Sequence, residues 1–285
     1  MQQNHPDQNE SPDESTAGTA LLAPVWRGLM TAAKGVVDAV LPPRCAACRV
    51  VTGGDGGFCA DCWAKLDFLV GPACSRCDVP FDIAQGEGAM CGQCIADPPP
   101  YSRVHAPLVY GEVARSIVMR LKYGRRTGFA RLMARMIAGA VQRVERAGDP
   151  PLIVPVPLHR WRLWNRGFNQ SAEVGRHLAH LTGWPMEVDA LMRHRRTPPL
   201  RGLGRTARLR TVAGAFSARP EKRNLLAGRR VLLIDDVFTT GATAASCAKA
   251  LIRAGAAAVE VAAFARVVDR DRADPDLLYG RIDTG

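Results

Sequence analysis

The sequence predicts an α/β protein, a parallel sheet with helices on both faces, preceded by a small cysteine-rich module. Three observations predict it. Strand-like and helix-like stretches alternate from about residue 101 to residue 268, which is the pattern of crossover connections in a parallel sheet. The run Val231-Leu232-Leu233-Ile234 is apolar on both sides of the pleat, as a central parallel strand covered on both faces requires. Eight of the nine cysteines form four C-x-x-C pairs inside fifty residues, a spacing that serves metal ligation.

The 285-residue chain is 47% hydrophobic and 23% charged, ordinary globular values that exclude wholesale disorder and fibrous architectures. No uncharged apolar window is long enough to span a bilayer, and the N-terminus lacks a basic, apolar secretory leader. A cytoplasmic protein without stable membrane insertion is therefore expected. Residues 1–23 are polar and acidic and are expected to be disordered. In residues 24–43, Val25, Trp26, Leu29, Met30, Ala33, Val36, Val37, Val40 and Leu41 recur at helical spacing and stop at Pro42-Pro43. This predicts an amphipathic helix that packs on the protein's own body.

Residues 44–97 hold Cys45/Cys48, Cys59/Cys62, Cys74/Cys77 and Cys91/Cys94. Two C-x-x-C knuckles supply the four thiolates of one closed tetrahedral zinc site, so four knuckles imply two zincs. Sequence spacing favours sequential pairing, the first four cysteines on one ion and the last four on the other, with an interleaved arrangement as the alternative. A disulfide framework conflicts with a reducing compartment. The segment is Gly-rich and poor in large apolar residues, so metal would replace core, each structural zinc contributing about 10–16 kcal/mol of apparent binding energy.

Residues 101–268 follow a Pro98-Pro99-Pro100 boundary, and 269–285 form a C-terminal tail. Strands are predicted at Val104–Val109, Leu152–Val156, Met186–Met192, Arg230–Ile234 and Ala258–Phe264. Helices are predicted at Val113–Lys122, Phe129–Arg146, Ser171–Leu181 and Ala242–Ala254. Between Arg160 and Arg230 there are sixteen Lys or Arg residues against four acids, a field that attracts phosphate-bearing partners.

The most informative stretch is Val231 to Thr243. Asp235 and Asp236 stand where a strand ends, Thr239, Thr240 and Gly241 form a short loop, and Ala242 and Thr243 open a helix. Ligands of open α/β sheets bind at the carboxyl ends of strands, and a helix N-terminus binds phosphate. A carboxylate repels a phosphate by about 4 kcal/mol per unit-charge pair at 4 Å and an effective dielectric of 20. The acids must therefore face hydroxyls or magnesium, and a sugar phosphate satisfies both halves. No G-x-x-x-x-G-K-[ST] loop and no strand-linked G-x-G-x-x-G occur, which excludes a P-loop motor and a dinucleotide fingerprint.

This stretch resembles the phosphoribosyl-pyrophosphate (PRPP) signature of type I phosphoribosyltransferases. Together with the eight cysteines, Val154–Leu158 and Arg166-Gly167-Phe168-Asn169-Gln170, the chain over residues 24–268 resembles the ComF family. That family pairs a double zinc ribbon with a phosphoribosyltransferase-like domain. The resemblance implies a PRPP-binding core, magnesium with PRPP, and a role in DNA uptake with other competence proteins in transformable bacteria. It nominates Asp235, Asp236, Arg166 and Lys122 for catalysis. For PRPP it nominates Asp235, Asp236, Thr239, Thr240, Gly241, Ala242, Thr243 and Arg160. It also implies a pyrophosphate loop over Pro155–Arg162 and a mobile loop over Thr197–Arg210, with Arg201, Arg205, Arg208 and Arg210. Leu200 and Thr211 depart from the pattern expected there. Trp161, Trp164 and Phe168 interleave with the Arg cluster; core packing is the default expectation, and stacking on single-stranded nucleic acid is the alternative. The competing function is a non-catalytic PRPP sensor that holds single-stranded DNA.

Overall fold

The computed structural model describes residues 42–53, 57–123, 128–142, 149–195 and 205–268. The acidic tail over 1–23, the helix predicted over 24–43 except Pro42-Pro43, residues 197–204 of the expected mobile loop and the tail over 269–285 lie outside them.

Among the described residues, the main sheet holds five strands in parallel. They are β1 (Arg103–His105), β2 (Leu108–Val109), β3 (Leu152–Pro155), β6 (Arg230–Phe238) and β7 (Ala258–Arg266). The spatial order is β1, β7, β6, β3, with β2 continuing beside β7. Pro107, which has no N–H to donate, falls between β1 and β2, so the strand predicted over Val104–Val109 is two short pieces along one edge. A separate antiparallel pair, β4 (Leu191–Arg193) with β5 (Phe216–Ala218), stands apart from the sheet. This corrects the strand expected over Met186–Met192. Met186 makes only an isolated bridge to Ile153, and Glu187 Oε1 accepts from the Asp189 amide at 3.0 Å, closing a turn that diverts the chain.

The pleat divides β6 between two cores. Val231 and Leu233 pack with Val261, Cys247 and Leu251 on one face; Leu232 and Ile234 pack with Phe264, Met133 and Ile137 on the other. Helix α9 (Ala242–Arg253) covers the first face. Helices α3 (Glu112–Tyr123), α4 (Gly128–Gln142) and α6 (Gln170–Thr182) cover the second. Their sequences explain this: in α4 the buried residues Ala130, Met133, Ala134, Ile137, Ala138 and Val141 recur at three- and four-residue steps. Helix α6 starts at Asn169, whose side chain accepts from the Ser171 amide at 3.1 Å, and stops at left-handed Gly183.

Two further helices lie where loops are expected. His159 Nδ1 accepts from the Trp161 amide at 3.3 Å and starts α5 (Arg160–Arg166) inside the expected pyrophosphate loop. Helix α7 (Arg205–Val212) takes the end of the expected mobile loop. A short helix, α8 (Arg223–Leu226), precedes β6.

The cysteine-rich module is two like halves, each a knuckle hairpin followed by a single helical turn or so, α1 (Ala60–Ala64) and α2 (Gly92–Ala96). The first half buries Ala46 and Leu66 in the core beneath α3 and α4. Its Phe68 bridges to Leu108 at the sheet edge. The second half is tied to the sheet by Asp78 Oδ2, which accepts from the Ala106 amide at 3.2 Å, and by Arg266, which donates to the Cys77 carbonyl.

Candidate functional site

The site forms at the carboxyl ends of β3 and β6. Because successive residues of a strand face opposite ways, Asp235 and Asp236 do not point together. Asp235 shares the α9 face, where the Arg193 guanidinium of β4 favours its charge and where, with burial, it helps push the Cys247 thiol up. Asp236, 5% exposed, lies on the α3/α6 face. Its Oδ2 receives Lys122 Nζ at 3.0 Å and Gln170 Nε2 at 3.1 Å. Gln170 Oε1 accepts from Arg166 at 3.1 Å, and the Arg166 guanidinium lies 5.3 Å from the Tyr123 ring centre. One relay therefore joins Arg166, Gln170, Asp236 and Lys122. It opens on a cavity of about 260 Å³ lined by Lys122, Tyr123, Arg162, Asn165 and Arg166. A cavity with three cations suits a strongly anionic group.

Asp235 Oδ1 accepts from the Asp236 amide at 2.8 Å. Loss of water around it, then repulsion from Asp236, pushes its carboxyl up to about 7, against the opposing pull of Lys122 and Arg193. Such a group changes charge near neutrality.

Past β6 the chain turns through Thr239, Thr240 and Gly241 into α9. Gly241 has φ 75°, and a Cβ there would stand 2.8 Å from Tyr101 Oη and 2.9 Å from Phe238 Cζ. Both the left-handed backbone and the close approach therefore require glycine. Tyr101 meets Phe238 edge-on at 5.9 Å, making the floor of the loop. No side chain caps the N-terminus of α9, and Thr240 Oγ1 is buried without a hydrogen-bond partner among the described residues. Arg208 of α7, 8% exposed, donates to Thr239 Oγ1 at 3.3 Å. The loop thus presents helix dipole, hydroxyls and one guanidinium to an oxyanion.

The structure brings Asp236, Lys122, Arg166 and Gln170 into contact and sets Asp235 and Thr239–Thr243 beside them. Arg160 is exposed at the start of α5 and does not line the cationic cavity; Arg162 does. Trp161 and Trp164 correct the packing expectation, since they are 48% and 79% exposed on a helix with no buried residue. Phe168 packs against the core as expected. Sequence reasoning missed Arg193, Tyr101 and Arg266. Each stands far along the chain from the motif, and no local pattern marks it.

The cysteines pair sequentially. The four sulfurs of Cys45, Cys48, Cys59 and Cys62 lie within 4.8 Å of one another, as do those of Cys74, Cys77, Cys91 and Cys94. The Cys48–Cys59 and Cys77–Cys91 sulfur separations are 3.6 and 3.7 Å, close to the roughly 3.8 Å edge of a tetrahedron with metal–sulfur bonds of about 2.3 Å. Burial pushes the Cys45 and Cys74 thiols up, but the amides of Cys59 and Cys48, and of Cys77 and Cys91, outweigh it and bring them to about 6 and about 7. Burial and neighbouring sulfurs push Cys62 up to about 12 and raise Cys94 as well. A divalent ion is what would let all four ionise together. The donor set, spacing and knuckles fit zinc at two four-cysteine sites.

The sequence matches the double zinc ribbon domain over residues 36–95. It is 32% identical over 232 residues to DNA utilization protein YhgH of Salmonella typhi, covering 80% of this chain and 99% of that one. It is 30% identical over 227 residues to competence protein F of Haemophilus influenzae, covering 78% and 96%. Among solved structures it is similar to the B. subtilis glutamine PRPP amidotransferase, with 24% identity and TM-score 0.32 over 47% of this chain and 25% of that one. It is also similar to TT1426 of Thermus thermophilus, with 20% identity and TM-score 0.30 over 50% and 78%. The chain spans about a quarter of the amidotransferase. Motif, ribbon and near full-length coverage of these relatives agree: the chain belongs to the ComF family, which includes DNA utilization protein YhgH and competence protein F.

Proposed function

We propose that this protein binds PRPP at the end of β6 and works in the cytoplasm; a part in the uptake or use of DNA is supported by the names of its relatives, DNA utilization protein and competence protein. The observation that carries the reading is the joint placement of Asp235 and Asp236 with the uncapped N-terminus of α9 and the buried, unpartnered Thr240 hydroxyl. In this reading the amides and hydroxyls of Thr239–Thr243 hold the 5-phosphate. The two acids accept from the ribose hydroxyls across the end of the strand, and Lys122, Arg162 and Arg166 face the diphosphate. Magnesium, when bound with PRPP, supplies charge neutralisation of the diphosphate. Because Lys122 already engages Asp236, ribose binding requires that contact to be shared or released.

The reaction such a site supports is displacement of pyrophosphate at the anomeric carbon, by positioning and charge stabilisation. Arg160, exposed and away from the cavity, contributes only through the general field. The test is calorimetric titration of PRPP with magnesium into wild type and an Asp235→Asn/Asp236→Asn variant, followed by a screen of nucleobases for pyrophosphate release. Tight magnesium-dependent binding by wild type alone supports the reading, and release with one base makes the protein a transferase. Equal affinity in both proteins removes PRPP as the ligand.

A further inference from the structure

We infer that α5 is a stacking surface for single-stranded nucleic acid, a role separate from the phosphate loop and acid pair. Its sequence, Arg-Trp-Arg-Leu-Trp-Asn-Arg, buries no residue. Trp161 and Trp164 stand 48% and 79% exposed with ring centres 5.5 Å apart and planes inclined by 43°. Exposing two indoles is unfavourable unless something covers them, and the helix is held in place to present them. His159 caps its start, left-handed Gly167 closes its end, and just beyond it Asn169 Nδ2 ties the chain to the Val156 carbonyl at 3.1 Å.

The distribution around the helix chooses the occupant. At about 100° per residue, the two indoles form a stripe only about 60° wide. Arg160 borders it on one side. On the other come Asn165 and then Arg162 and Arg166, which turn into the cationic cavity. Leu163 lies on a different face. A membrane-surface helix or a helix seated in an apolar groove needs a sector of at least about 100°, and this stripe is too narrow, with a guanidinium on one border and an amide on the other. Aromatic faces edged by cations fit a strand whose bases are unpaired: each base offers a π-face to stack and each nucleotide a phosphate for an arginine. The sixteen cationic residues against four acids from Arg160 to Arg230 supply the matching field. A duplex, with its bases stacked on one another, has no free faces to give.

The full zinc-bearing chain, titrated with a labelled 20-mer of oligo-dT and followed by fluorescence anisotropy, tests this. A Trp161→Ala/Trp164→Ala variant is expected to lose roughly tenfold or more in affinity while its slope of log K against log salt stays as in wild type. Trp161→Phe/Trp164→Phe is expected to recover most of the loss. Arg160→Gln/Arg162→Gln is expected to flatten the salt slope by about 1.4. Zinc content and melting temperature report whether the variants fold. Should the alanine variant fail to fold, photo-crosslinking of the wild type to an iodouracil-substituted strand replaces it, and the label must map to Trp161 or Trp164. The inference is overturned if the folded alanine variant binds as wild type does, or if duplex binds as tightly as single strand. It is equally overturned if crosslinks fall elsewhere, or if anionic vesicles engage the tryptophans and the oligomer does not. PRPP affinity of the alanine variant, expected to be unchanged, separates failure here from failure of the PRPP reading.

Discussion

In the first ribbon half the Cys45 amide bonds to the Val50 carbonyl at 2.8 Å, and the Cys59 amide bonds to Cys45 Sγ at 3.3 Å; in the second, Cys74 to Val79 and Cys91 to Cys74 Sγ repeat both distances. Even the turn residues agree, Arg49 and Asp78 both standing in the left-handed region at φ 69° and 62°. Their surroundings do not agree. The first cluster leaves Cys48 exposed and leans on the helical layer, where Arg120 donates to the Ala46 carbonyl at 2.6 Å. The second walls a cavity of about 190 Å³ whose other side includes Tyr101, Phe238, Thr239 and Thr240. Arg266 joins the two sides, donating to the Cys77 carbonyl and lying 5.5 Å from the Phe238 ring centre, and Arg76 donates to the Tyr101 carbonyl at 3.1 Å. The same metal knuckle thus fastens the module in one place and shapes the candidate phosphate loop in the other.

The sharpest way to break this contrast is to remove one metal at a time. Cys77→Ser is expected to lose one of two zinc equivalents and to weaken PRPP binding by well over tenfold, since ribbon order rests on an ion contributing about 10 kcal/mol. Cys48→Ser is expected to lose a zinc equivalent as well, yet to keep binding within roughly threefold. Metal analysis alongside calorimetry checks both, and equal losses of binding would erase the distinction. Next in size, Asp236→Asn leaves Lys122 Nζ without its carboxylate and should cost about 2 kcal/mol in stability and more than tenfold in PRPP affinity, read by denaturant unfolding and titration.

A smaller effect follows pH. Asp235 ionises only above about 7, and hydroxyl or magnesium contacts need the carboxylate. Affinity should therefore fall by roughly tenfold from pH 8 to pH 6, a dependence that Asp235→Asn abolishes. Stability without ligand runs the other way. A carboxyl raised by folding holds its proton more tightly in the native state, so its contribution is complete below the ordinary value of 3.8 and is lost as pH rises through about 7. The two pH profiles must slope oppositely. Last, Gly241→Ala should destabilise by about 1–2 kcal/mol, and Tyr101→Phe should return part of that by removing the nearer of the two clashing atoms.

Much of this was legible because it is local. Central strand β6 announced itself through four consecutive apolar residues, and the C-x-x-C spacing carried both clusters and, once folded, their sequential pairing. The motif from Asp235 to Thr243 named the loop. What escaped depends on distance along the chain. Nothing near Arg193, Tyr101 or Arg266 says that β4 reaches Asp235 or that the start of the α/β domain and the last strand meet at the loop. The tryptophans of α5 were expected inside because interleaved aromatics and arginines look alike whether they pack or face water. The turn at Glu187–Asp189 broke an apolar stretch that read as one strand, because a side chain accepting a backbone amide leaves no periodic signal.

The opposed directions of Asp235 and Asp236 place a demand far from either carboxylate. Sliding β6 by one position against β3 and β7 would trade the acids between layers, setting Asp236 toward Arg193 and stripping Lys122 of its counter-charge. Alignment of the sheet, held by hydrophobic neighbours such as Val259 and Phe264, therefore acts as the gauge that assigns each acid its task. Substitutions that loosen that alignment should scramble the chemistry while leaving every residue of the motif in place.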